Sequence, residues 1–268
     1  IHVGAFSKFQ LIEHYLSSEK TSDEDELPFL SNHQTHLFVE ESASVTHLKF
    51  SQLPQKSLHI GNLTGDVKRA GTLNTFTMTL SSAPHRHNIH VRLLEEEAHT
   101  QADGLYTLRN RDYVDHFAVI DHQKSHTTSN QLFKGILDEN SRGAFTGKII
   151  VERHAQKVEA EQLNKNLLLS KKAKVDTRPQ LEVYADDVKC AHGATVGQIS
   201  EDELFYLESR GISKLHAYQM LCHAFAGDVI LRVPDERIRE WLMERLYEGY
   251  ERFSDFDKLA DFIKGEKS

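Results

Sequence analysis

The chain has 268 residues, with 39% hydrophobic and 27% charged side chains and a formal charge of -8. That is enough for one large domain, or one large and one small, and the acidic balance argues against a general binder of nucleic acid or anionic membranes. No apolar run approaches the roughly 20 residues of a membrane helix, and the start shows no signal-peptide pattern. The first residue is Ile1 rather than Met, so an N-terminal segment is expected to be missing.

From Phe9 to about Gln198 the chain reads as short strands: FQLIEHYL, THLFVEE, VTHLKFSQL, LNTFTMTL, HNIHVRLLEE, YVDHFAVIDH, GAFTGKIIVERH and PQLEVYAD. They are rich in Val, Ile, Phe, Thr and Tyr, and apolar residues recur at every second position. The acidic run SSEKTSDEDE interrupts this pattern and reads as a solvated loop. Helical stretches between strands are lacking, which disfavours alternating strand–helix units. Few Asn-Gly or Asp-Gly turns appear, which disfavours a meander. A sandwich or a stacked parallel β-helix remains, and tight corners such as SRGAFTG and CAHGATVG suit the second.

After Ile199 the period becomes helical. Ser200 and Glu203 form a capping-box pattern, and Gly211 supplies a stop. Ser213 caps a second helix carrying Tyr218, Leu221, Phe225 and Val229 as an apolar stripe. Pro234 and Asp235 open a third helix, and Ser254 with Asp257 a short last one. The expected division is therefore a mainly β core over 1–198 and a helical domain over 199–268. Most of the helical apolar residues should form a mutual core, with one stripe left for a partner.

The two cysteines, Cys190 and Cys222, are too few for a secreted disulfide scaffold and fit reduced thiols in a cytoplasmic setting. Histidine is abundant, with 17 copies. PHRHNIH puts His85 and His87 on one strand face and His90 on the other; a weak metal site and a solvated strand edge both fit. Asp186 and Asp187 are consecutive and would diverge in a strand, so a turn fits better than an acid/base pair.

In VKCAHGATVG, Cys190 and His192 fall on one face of a strand. A thiolate and an imidazole so placed can reach one soft metal or pair for nucleophilic chemistry. Against this stands simple packing with Val188, Ala194 and Val196. A four-iron cluster or a closed zinc site takes about four donors, and Cys222 lies among apolar helical neighbours. Any iron at Cys190 or His192 would then need ligands from a second chain. No dinucleotide, phosphate-loop, zinc-protease or serine-hydrolase motif is present.

The segments VDT-x-PQLE, YADDVKCAHGATVG and LFYL-x-SRGI, within residues 166–213, resemble the SufB/SufD family of the SUF iron–sulfur cluster assembly system, its SufD branch in particular. SNQLFKGILDENSRGAFTGKIIV upstream is similar to the same branch. The resemblance implies a right-handed parallel β-helix core with a C-terminal helical domain. It implies a non-catalytic scaffold that pairs with SufB through the β-helix and with the SufC ATPase through the helices. In such a complex a nascent cluster forms at the subunit interface, with a link to reduced flavin and iron acquisition. It ties His192 to cluster formation, with Cys190 beside it. Asn164 stands where the SufB branch carries a functional Cys, and Gly193 where that branch has Glu, so this chain should not itself receive sulfur. Leu204, Phe205, Tyr206, Arg210, Tyr218, Leu221 and Phe225 are the residues expected to face SufC, and a homodimer is plausible for the isolated chain. The rivals are a carbohydrate-active β-helix enzyme, for which no convergent carboxylate pair is found, and a purely structural adaptor.

Overall fold

A computed structural model describes residues 1–16, 29–53, 57–80 and 84–251. The acidic run at 17–26 and the expected last helix after Ser254 lie outside the described residues.

The strands are β1 (His2–Val3), β2 (Lys8–Leu16), β3 (Phe29–Val39), β4 (Ser44–Gln52), β5 (Ser57–Val67), β6 (Thr72–Leu80) and β7 (His85–Leu93). They continue with β8 (His99–Leu108), β9 (Tyr113–His122), β10 (Thr128–Leu137), β11 (Arg142–Val151), β12 (Glu159–Leu168), β13 (Lys174–Val183) and β14 (Lys189–Gly197). Odd strands form one seven-stranded sheet and even strands another, each in sequence order, and every pairing is parallel. The chain thus coils as a parallel β-helix, each turn giving one strand to each wall.

Unbroken registers stack equivalent residues. Ser44, Thr72, His99, Thr128 and Glu159 are successive partners at the start of the even strands. Two residues before each even strand from β2 to β12 the backbone enters the left-handed region, at Phe6, Ser42, Ala70, Glu97, His126 and Lys157, with φ between 51° and 63°. None of these is Gly, although the conformation costs an ordinary residue roughly 1–2 kcal/mol. The corner must recur at every coil because the backbone has to leave one wall and enter the next at the same height.

Inside the coil, Leu37, Val39, Val67, Val91, Leu93 and Ile120 are at most 1% exposed and form an aliphatic wall. The outer face of the even sheet is apolar too. Leu48, Phe76, Leu132 and Leu163 lie in one outward column, and α1 (Glu201–Ser209), α2 (Lys214–Ile230) and α3 (Glu236–Glu251) cover that face. Ser200 caps α1 by accepting from the Glu203 amide, and Ser213 caps α2 by accepting from the His216 amide. Asp235 accepts from the Arg237 and Ile238 amides at the start of α3. These are the caps expected from the sequence.

Two ionic anchors fasten α2 and its end to the coil. Arg232 donates to Asp103 at 2.9 Å, and Lys134 donates to Asp228 at 2.5 Å and to the Phe225 carbonyl. Burial raises the Asp103 carboxyl to about 6 even with Arg232 beside it.

Candidate functional site

β13 and β14 end their sheets among the described residues. The inward side chains of the last coil therefore have no further coil above them. Ala160 is in register with Cys190, and Gln162 with His192. Both pairs belong to inward columns, because Gly193, the next residue after His192, faces Leu163 on the helix side. Cys190 and His192 thus emerge on one side of the last strand, at the open end of the coil. Cys190 packs against the cluster of Ile149, Val151, Val158 and Ala160, and burial raises its thiol above the ordinary value. In the lone chain that thiol is a protonated packing group at neutral pH. His192 is exposed. Asp186 and Asp187 sit in the bend between β13 and β14, where Asp187 pairs with Lys157.

The interior below is polar on one side. Asn164 is fully buried and donates to the Phe133 carbonyl at 3.1 Å. Its oxygen accepts from Asn166, and the Tyr106 hydroxyl donates to Asn166 at 2.5 Å. An amide here satisfies the backbone of β10 from inside the coil.

Farther toward the N-terminal end, histidines crowd the core. His33 and His59 lie with ring centroids 4.8 Å apart, and His59 and His85 4.6 Å apart. His85, His87 and His116 form a triangle with sides of 6.1–6.5 Å. His85 and His87 are each 1% exposed. The alternative of a solvated strand edge for PHRHNIH is thereby corrected: register places these two rings inside and only His90 outside. Burial keeps the rings neutral, lowering His59 and His116 to about 3 and His33 to about 4. Burial also lowers Lys49 to about 7. Burial alone would raise Glu13, yet hydrogen bonds from His47 and Thr35 prevail and hold it at about 2. Among the described residues no three His, Cys, Asp or Glu side chains are arranged to hold a metal ion. Lys49, Gln131 and Gln162 are interior residues that sequence reasoning missed, because polar side chains at alternating positions read as an outer face.

The helical residues divide. Leu204 and Tyr218 are buried, and Leu221 and Phe225 pack against the same core. The Lys134 ammonium lies 4.5 Å from the Phe225 ring centroid. Leu204 and Tyr218, expected to face a partner, are instead core residues against the apolar outer face of the even sheet, which Leu221 and Phe225 also touch while staying partly exposed. Phe205 and Tyr206 remain exposed at 72% and 57%, with Arg210 stacked over Tyr206. Cys222 is a core residue, its thiol raised to about 12 by burial.

Residues 1–225 match the family model for the SufBD core domain of SUF-system iron–sulfur cluster assembly. The chain belongs to the SufBD family. It is 34% identical over 236 residues to the iron–sulfur cluster assembly protein SufD of Escherichia coli, covering 88% of this chain and 54% of that one. It is 35% identical over 219 residues to an iron–sulfur cluster assembly SufBD family protein of Synechocystis, covering 82% and 48%. The chloroplastic protein ABCI7 of Arabidopsis thaliana is 30% identical over 215 residues, covering 79% and 45%. The chain spans about half the length of these relatives. The coiled core is the part that the family model describes, and the match ends within α2, at Phe225. No helix among the described residues is long and apolar enough to cross a membrane.

Proposed function

We propose that this chain is a SufD-type scaffold whose open coil end pairs with SufB, so that a nascent iron–sulfur cluster forms across the seam. The observation that carries this is the last coil, where Cys190 and His192 surface together from inward columns at uncovered sheet edges. Unpaired strand edges are templates for another chain, and here they flank two soft donors. Two donors cannot enclose a cluster that takes about four, so the missing ligands come from the partner. A neutral imidazole at His192 offers iron a lone pair. Cys190 joins as thiolate only when a metal or partner cation overcomes its burial. Iron and cluster are cargo in this reading, and the lone chain turns nothing over. Any reduced flavin acts on the assembled complex.

The exposed aromatic pair on α1, Phe205 and Tyr206, with Arg210, fits docking of the SufC ATPase, since aromatic residues and Arg are enriched where proteins meet. The test is His192→Ala in the chain assembled with its SufB- and SufC-type partners, followed by iron and labile-sulfide analysis. Cluster content should drop severalfold while the complex stays intact. Undiminished content in an intact complex would sink the role of His192.

A further inference from the structure

One rung beneath His192 lies Gln162, in register and on the same inward side. Its side chain is fully buried. The amide nitrogen donates to the Gly147 carbonyl at 3.2 Å. The amide lies flat over Gly147, where an added Cβ would stand 2.4 Å from its nitrogen and 2.6 Å from its oxygen. The absent side chain at Gly147 is thus what admits Gln162, and the hydrogen bond fixes which way the amide faces. Nitrogen is engaged and Oε1 is left as a buried acceptor without a donor.

We propose that Gln162 is a positioning residue for His192, its Oε1 accepting the ring N–H of the imidazole above. Neighbouring strands are about 4.8 Å apart, and His192 is an exposed ring with room to rotate toward that oxygen. A carbonyl oxygen has two lone pairs, so Gln131, in register on the rung below, does not exclude His192. The bond selects one tautomer. The other ring nitrogen then keeps its lone pair outward, toward whatever covers the open end. A ligating histidine is oriented in this way by an acceptor on its second nitrogen. The metal-facing role of His192 rests on the function proposed above, but the hydrogen bond does not.

The experiment uses the chain with isotope-labelled histidine, the His192 ring signals being those lost in His192→Ala. At alkaline pH, where free imidazole is neutral, one tautomer should dominate. Gln162→Met, similar in length and without an acceptor, should return the ring to the mixture of a free imidazole. Gly147→Ala, which displaces the amide without altering it, should do the same. Gln162→Glu should restore the bias. The other histidine signals report whether each variant is folded. A wild-type ring with the same tautomer mixture as Gln162→Met overturns the proposal. In the assembled complex Gln162→Met should lower cluster yield severalfold, and adding it to His192→Ala should lower it no further. Equal losses in both backgrounds would also overturn the positioning role. If His192→Ala alone leaves the yield intact, the function proposed above fails, while the ring spectrum still decides the hydrogen bond.

Discussion

Two inward columns of the same wall solve burial in opposite ways. The column Gly65, Val91, Ile120 and Ile149 is aliphatic and closes by dispersion and water exclusion. Four residues earlier on the same strands, the column His87, His116 and Phe145 is aromatic, with imidazole nitrogens that have no hydrogen-bond partner. The backbone ladder is identical in both, so the stack itself is indifferent to polarity. The difference teaches that the register supplies the shape, while the aliphatic column supplies the stability that lets the histidine column persist.

The largest expected effect is acid lability. His33, His59, His85, His87, His116 and His122 are all held below the ordinary histidine value, chiefly by burial. The unfolded chain binds their protons as pH falls through about 6.5, whereas the folded chain resists, His33 until about 4 and His59, His116 and His122 until about 3. Stability therefore falls with falling pH across that window. Each fully buried ring contributes at most about 1.4 kcal/mol per pH unit in that window, and the partly exposed His33 less, because solvent screens it. Circular dichroism during acid titration should show unfolding above pH 4, and a coil intact at pH 4 would contradict the buried neutral rings.

Next in size is Ile120→Ala on the aliphatic side, expected to cost about 2–5 kcal/mol in urea denaturation. Lys49→Met should stabilise the chain at neutral pH. The wild type gains stability as pH rises from about 7, the folded value, toward 10.5, the ordinary one; the variant should lose that slope. The smallest pair sharpens the contrast most. His122 bonds Thr127 and Ser129 at 2.8 Å each, so His122→Leu should cost about 1–3 kcal/mol by taking the ring from Ser129 and leaving Thr127 with the Lys124 carbonyl. His116→Leu removes a ring without partners and should change stability by less than about 1 kcal/mol. Equal costs at the two sites would erase the distinction.

Strand type was legible because apolar alternation survives in segments such as NIHVRL, and the three C-terminal helices were legible from Ser200, Ser213 and Asp235. The family came from the block around Cys190 and His192. The corners were not legible, since Ser42, Ala70, Glu97, His126 and Lys157 carry no Gly signal for their left-handed backbone. Facing was misleading as well. In EQLNKNLL the polar Gln162, Asn164 and Asn166 point inward, while Leu163 and Leu167 point outward beneath the helices. Period 2 separates two faces but does not say which one is covered. For the same reason the stripe at Tyr218, Leu221 and Phe225 could not be assigned to core or partner before the apolar outer sheet was seen.

The anchors at Asp103 and Lys134 reach past the packing of the helices. Each fixes α2, or the turn that ends it, to the middle of a central strand, β8 or β10, where neighbours on both sides resist displacement. A load applied to the helices is therefore shared by the whole wall, and the assembly behaves as a stiff beam rather than a lid on a hinge.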